Sequence, residues 1–403
     1  MSKRKILILS LFILAGMTLA ACGGGGAAAF ECDDALGCVS YAPGEAIRIA
    51  SALVITGPDS DLGLDSQRGI EIGIAMRGDV LGHSVELQAE DDGCGPEGGQ
   101  TSATKIVSDP TIVAVIGTSC SGAGVPASKI ISDAGYVMVS PSNTAPVLTD
   151  AETHEAGYLR TAHNDKVQGR AMAEFAYSSL GVRTAAALHD GDPYTEGLAS
   201  SFKTNFEELG GTVVAFEAVD KNADDMRPVL TTVAASGNVE FLYYPVFTKA
   251  GANITKQARE VEGLENVVLA GADGMLSPSF LEAAGDAAEG MYLSGPNLAF
   301  EGGIYPDFIA KHDEMYGIEP TSVFHAHAFD AFNMIMNAIE SVAVVDDDGT
   351  IHIGRQALRD ALFATADFVG ITGTLTCNEY GDCANAQIAV NQVKSGEFEA
   401  IWP

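Results

Sequence analysis

Positive charge is scarce in this sequence: 22 lysines and arginines face 54 aspartates and glutamates, for a formal net charge of −32. Nucleic acid is held by clustered bases on its phosphates, so it is not expected as a partner. Such acidity keeps a protein soluble and monomeric and carries no information on fold. It repels an anionic ligand at long range, so any bound carboxylate must be held by local donors. Beyond residue 19 no apolar run reaches the length of a bilayer span. Catalytic constellations are lacking too. Asp91 with Asp92, or His189 with Asp190, would have to serve as acid and base, and no activated nucleophile, glycine-rich phosphate loop or histidine cluster accompanies either pair. Adjacent loop acids are as a rule solvated, so neither an enzyme nor a cofactor is expected.

The N-terminus is informative. Lys3, Arg4 and Lys5 form a charged start, and Ile6 to Leu19 is an apolar run of signal-peptide length. It meets Leu19-Ala20-Ala21-Cys22, which resembles the bacterial lipobox, where the cysteine thiol is diacylated and the chain is cut just before it. Residues 1–21 are therefore expected to be a lipoprotein signal peptide and Cys22 the lipid anchor. Four glycines and three alanines follow, without core-forming side chains, so residues 22–45 read as a flexible tether with a short disulfide loop. The folded part is expected to begin near residue 45, exported and held at a membrane surface in the periplasm or on the cell exterior.

The other six cysteines are an even set in a compartment that permits disulfides. Cys32 and Cys38 enclose one short loop, Cys377 and Cys383 another, which leaves Cys94 with Cys120. A metal site is the competing reading. Neither close pair has the two-residue spacing of a zinc knuckle and no histidine lies near either, so no metal is expected.

The roughly 360 folded residues exceed what one core usually supports, which points to two domains. Short β-branched runs alternate with amphipathic stretches. Residues 47–54, 85–89, 113–117 and 137–140 read as strands, with helices over 65–79, 100–108 and from Ser121. A second set has strands at 184–189, 212–216, 241–244 and 267–270, with a helix near 195–208. Alternation of this kind predicts an α/β fold of two Rossmann-like lobes with parallel sheets. Ligands of such sheets bind beyond the carboxyl ends of the strands. The loops there are Thr56–Gly63, Thr118–Gly122 and Pro141–Thr144 in the first set, and Asp190–Tyr194, Pro245–Thr248 and Gly271–Gly274 in the second.

The segments TGPDSDLG, EDDGCGPEGGQTSATKIV, VIGTSCSGAGVPAS, VSPSNTAPVLT, YLRTAHND, HDGDPYTEGLA and AAGDAAEGMY, in this order and spacing, resemble the periplasmic branched-chain amino-acid binding proteins of ABC transporters. The likeness runs from about residue 46 to the C-terminus and implies the type I periplasmic binding fold. In that family the chain crosses between lobes three times. Matched here near residues 161, 296 and 383, the crossings place 46–161 with 297–383 in lobe 1, and 162–296 with 384–403 in lobe 2.

The resemblance implies a small amino-acid ligand, branched-chain or similar, captured between closing lobes and delivered to an ABC permease. It puts Ser121 and Thr144 at the ligand's carboxylate, with the N–H groups of the helix that Ser121 opens also suited to an anion. Ser142 would offer its carbonyl to the ammonium, and Asp273 an acidic side chain. Tyr194 and Phe247 from the second lobe and Phe324 from the first would cover the ligand. Leu62 stands where the family commonly has tyrosine, which opens space and leaves the side-chain preference unsettled, with small amides or an aromatic acid as alternatives. Cys94 with Cys120 matches a family disulfide that would hold the Ser121 loop. A ligand-sensing lipoprotein of the same fold is the remaining alternative. For the anchor, Cys22→Ser should abolish metabolic labelling by lipid, and unchanged acylation would contradict the lipobox reading.

Overall fold

The computed structural model describes residues 30–300 and 303–403. The basic start, the apolar run and Cys22 lie outside the described residues. The first sheet takes strands β2 to β6 of the chain, preceded by β1 (Cys38–Tyr41): β2 (Ile47–Leu53), β3 (Val85–Asp91), β4 (Ile112–Gly117), β5 (Met138–Ser140) and β6 (Tyr158–Arg160). They lie in the order β3-β2-β4-β5-β6, all parallel. All six residues of β4 are buried, as a central strand covered on both faces requires.

Side chains of a strand alternate between faces, and β2 shows what each face meets. Ile47, Ile49 and Leu53 pack with Ile70 of α1 (Ser60–Arg77) and Phe332 of the helix His325–Val342. Ala50 and Ala52 pack instead with Ala103 and Ile106 of α2 (Pro96–Val107) and with Ala127 and Ile131 of α3 (Ser121–Asp133). Small residues on that side let α2 and α3 sit close to the sheet.

The chain then leaves through α4 (Asp165–Glu174) and builds a second sheet from β7 (Thr184–His189), β8 (Thr212–Ala218), β9 (Phe241–Tyr243), β10 (Val268–Gly271) and β11 (Tyr292–Pro296). These are parallel in the order β8-β7-β9-β10-β11, and the last two strands, Ile388–Lys394 and Glu397–Trp402, extend the sheet antiparallel beyond β11. Between β7 and β8 runs α5 (Pro193–Glu208). The strand order reverses beside β2 in the first sheet and beside β7 in the second, and crevices for ligands open at such switch points.

The three segments that join the sheets lie side by side. Arg160, at the end of β6, donates its backbone N–H to Gly381 and an ion pair to Asp382, while Cys383 donates its N–H back to the Arg160 carbonyl at 3.1 Å. Asn297, just beyond β11, donates its N–H to Gln387 at 2.9 Å. The Cys377–Cys383 disulfide closes the turn at the third segment. The Cys32–Cys38 bond closes another turn at the N-terminal edge.

One expectation needs correction. The tether was expected to run to residue 45, but the chain is part of the fold from Cys32. Strand β1 pairs antiparallel with Ile351–Gly354, Val39 and Tyr41 are buried, and the Tyr41 hydroxyl donates to the Thr111 carbonyl at 2.7 Å. Asp34 caps the helix Arg355–Phe363 from outside, accepting N–H groups of Gln356 and Ala357 at 3.0 Å each, together with that of Leu36 at 2.8 Å. Partial burial pushes the Asp34 carboxyl up, but those three donors outweigh it and hold the carboxyl below its usual 3.8. The cap is therefore fully present above that pH and is lost as pH falls through the depressed value. Asp34→Ala should lower the unfolding free energy by about 1–2 kcal/mol in denaturant titrations near neutral pH. An unchanged midpoint would mean that the N-terminal segment docks without stabilising the fold.

Candidate functional site

The loop after β4 carries the first half of the site. Cys120 adopts an extended conformation before α3 and offers no side-chain cap; the Gly122 N–H is met by the Asp192 carboxylate, and the Ala123 and Gly124 N–H groups donate to the Cys120 carbonyl. The Ser121 hydroxyl accepts the Ala145 N–H at 3.2 Å, which leaves its own proton to donate into the space in front. Ser119 accepts the Val54 N–H on its hydroxyl, and its carbonyl accepts from Ser142 Oγ, both at 3.0 Å, so the loops after β2, β4 and β5 are bonded to one another.

Behind this loop lies the Cys94–Cys120 disulfide, with Cα atoms 5.0 Å apart across a separation of 26 residues. Closing a loop of that size contributes roughly 3–4 kcal/mol in the chain-entropy account. Asp92 reinforces it, accepting the Cys94 N–H at 2.8 Å and the Ser119 N–H at 2.6 Å. Burial pushes the Asp92 carboxyl up to about 7 in spite of these donors. Asp92 is thus a brace for the binding loop.

The second half comes from the other sheet. Asp273 follows β10 at the start of a single 3-10 turn, is 5% exposed, and accepts on Oδ1 from Gln168 Nε2 at 2.5 Å and from the Tyr194 hydroxyl at 3.2 Å. Burial raises its carboxyl, opposed by the His163 charge and by these hydrogen bonds. Tyr194 also accepts the Gly274 N–H at 3.1 Å, and its ring lies 5.2 Å from that of Phe247. Gln168 is held in turn, with Oε1 2.5 Å from His163 Nε2 and its amide also donating to Ser294.

Leu62, Ser121, Ser142, Tyr194, Phe247, Asp273 and Phe324 line one small cavity of about 10 Å³, joined by Ser119, Cys120 and Gly274. Leu62, Phe324 and the serines come from the first-sheet side, and Tyr194, Phe247 and Asp273 from the second. Thr144 is the one expected residue not on its walls. Its hydroxyl is buried facing the Asp165 carboxyl, which burial raises and this hydroxyl lowers. Among the described residues no three histidines, cysteines or acids are grouped to hold a metal ion.

Residues 46–397 match the family model described as periplasmic binding protein. The chain belongs to that family. A leucine-, isoleucine-, valine-, threonine- and alanine-binding protein of Pseudomonas aeruginosa is 30% identical over 357 residues, which cover 86% of this chain and 89% of that relative. The Leu/Ile/Val-binding protein of Escherichia coli K12 is 30% identical over 268 residues, 65% of this chain and 71% of the relative. Among solved structures, the leucine-binding protein LivK of Thermotoga maritima matches with a TM-score of 0.79 at 27% identity, over 88% of this chain and 97% of that one. The type I fold follows from these matches and from the two parallel sheets.

In this periplasmic binding protein the two halves are shut on each other. The Thr248 N–H donates across the seam to Asp59 Oδ1 at 3.1 Å, and the Ser279 N–H to Asp61 Oδ2 at 3.3 Å. Asp192 caps α5 by accepting the Tyr194 N–H at 2.9 Å and packs its carboxylate against Gly122 of α3, where an added Cβ would meet Asp192 Oδ2 at 2.0 Å. Burial pushes the Asp192 carboxyl up to about 6. Gln168, Asp192 and Asp59 lie at the seam without having been expected there. Asp192 and Asp59 stood in the strand-end loops, whereas Gln168 sits inside a helix where nothing local marks it.

Proposed function

We propose that this chain is the extracytoplasmic solute-binding lipoprotein of an ABC importer, and that it captures a small α-amino acid between its two lobes. One observation carries the reading: a single cavity has serine side chains on one side and a buried carboxylate on the other. That is the complement of a zwitterion. The Ser121 hydroxyl and backbone N–H meet the carboxylate, and Asp273 with the Ser142 carbonyl meets the ammonium. Tyr194, Phe247, Phe324 and Leu62 cover the rest. Thr144 is assigned to the wall behind the grip, because its hydroxyl does not reach the cavity.

The relatives support this choice of ligand class, since their names give branched-chain amino acids, threonine and alanine. A ligand favours closure only through contacts with both lobes at once, and closure rotates the lobes about the three joining segments. The closed form then docks, as a monomer, on a membrane permease. Cys22 carries the lipid, and the segment after it spans from the membrane surface to the fold.

Truncating one partner of a buried charged pair typically costs about 2–5 kcal/mol. Asp273→Asn keeps the shape and removes the charge, so in calorimetry it should weaken amino-acid binding by roughly 30-fold or more. A ligand without an ammonium group should be barely affected. Parental affinity for amino acids in the variant would reduce Asp273 to a turn residue.

A further inference from the structure

Both side-chain donors to Asp273 take the same oxygen. Gln168 Nε2 lies 2.5 Å from Oδ1 and the Tyr194 hydroxyl 3.2 Å from it, which leaves Oδ2 for a ligand. The proton positions behind these contacts follow from the partners. Gln168 Nε2 is also 3.1 Å from the Ser294 carbonyl and 3.1 Å from Ser294 Oγ. A carbonyl only accepts, so the amide end facing it is the nitrogen, and Gln168 Oε1 is the end turned to His163. That oxygen only accepts as well, which places the imidazole proton on His163 Nε2, 2.5 Å away. The Tyr194 oxygen accepts the Gly274 N–H, so its own proton points at Asp273. Every bond therefore runs one way, from His163 through Gln168 and from Gly274 through Tyr194, and both series end on Asp273.

The start of the first series is fixed by burial. His163 is 2% exposed and Gln168 and Ser294 are fully buried, so water does not compete for these contacts. His163 Nδ1 is buried without a hydrogen-bond partner. A second proton there would be a charge with nothing to meet it, and burial lowers the pKa of the ring against the pull of the Asp273 charge. The site thus selects a neutral ring with its one proton on Nε2. Hydrogen bonds donated to a carboxylate favour its ionised form, and Asp273 receives them from groups that carry no charge of their own.

We propose that Gln168 and His163 are positioning residues for ligand capture: the Nε2–H tautomer of His163 sets the Gln168 amide, and that amide holds Asp273 ionised with Oδ2 left to the ligand's ammonium. The inference rests on the amino-acid reading of the cavity and adds the residues that make its acid selective for a cation. His163 also stacks on Phe324, with ring centroids 6.2 Å apart, and Phe324 lines the cavity. Packing alone would serve every ligand equally, whereas a role through Asp273 serves only a ligand that carries an ammonium.

Calorimetry on the purified full chain separates the two, with leucine, isoleucine, valine, threonine and alanine each set beside the acid that lacks its amino group. Gln168→Met fills similar space without a donor, so it should weaken amino-acid binding about tenfold and leave the deaminated acids within about twofold. His163→Leu should reduce the preference for the amino acid about threefold or more, acting through Gln168. His163→Gln loses the ring but keeps an N–H for Gln168 Oε1, and should restore most of that preference. Equal losses for amino acid and deaminated acid in Gln168→Met, or the parental preference in a folded His163→Leu, would overturn the inference and leave amino-acid capture standing. If His163→Leu does not fold, Gln168→Met decides alone. Should the parent prefer none of the five amino acids to its deaminated acid, the amino-acid reading and this inference fall together.

Discussion

A carboxylate buried between two lobes must be answered by positive charge, and that requirement organises this molecule. Moving an ionised group out of water costs several kcal/mol even after the protein relaxes around it. Asp273 has Gln168 and Tyr194 as neutral donors, and burial lowers the pKa of His163, so the charge that could answer Asp273 from that side is itself disfavoured. Asp59, Asp165 and Asp192 also lie at the seam, and burial raises the carboxyl of each. Closing the lobes without a cation therefore gathers acids that repel one another. A ligand ammonium placed against Asp273 removes the central part of this penalty, so closure and capture become one event on the proposed reading.

The fold delivers the other components to the same place. In each sheet the strand order reverses beside its first strand, and the loops around those reversals face each other across the seam. The first lobe presents hydroxyls, which suit a carboxylate and need no base. That matters in a chain with a net charge of −32, where long-range attraction for an anionic group is absent. The disulfide Cys94–Cys120 and Asp92 keep the binding loop in place, and the three joining segments bring both sheets into register.

Much of this was legible in the sequence, for physical reasons. Strand and helix periods differ, so the alternation of residues 47–140 and 184–270 marked two parallel sheets, and the strand-end rule then selected the loops holding Ser121, Ser142, Tyr194, Phe247 and Asp273. What escaped depended on distant partners. Val39 and Tyr41 alternate as a strand does, but the strand they pair with begins at Ile351, so the segment read as tether. Gln168 looks like any polar residue on a helix until the second sheet places Asp273 and Ser294 beside it. Thr144 shared its loop with Ser142, and only the three-dimensional path of that loop shows which side chain reaches the cavity.

On the proposed reading the ligand is held by both of its charged groups, one from each lobe. Calorimetry with the tightest-binding amino acid, its deaminated acid and its decarboxylated amine measures this directly. Each single-headed analogue should lose about 30-fold or more in affinity. Equal affinity for the acid lacking the amino group would contradict it, because Asp273 would then have no charge to meet.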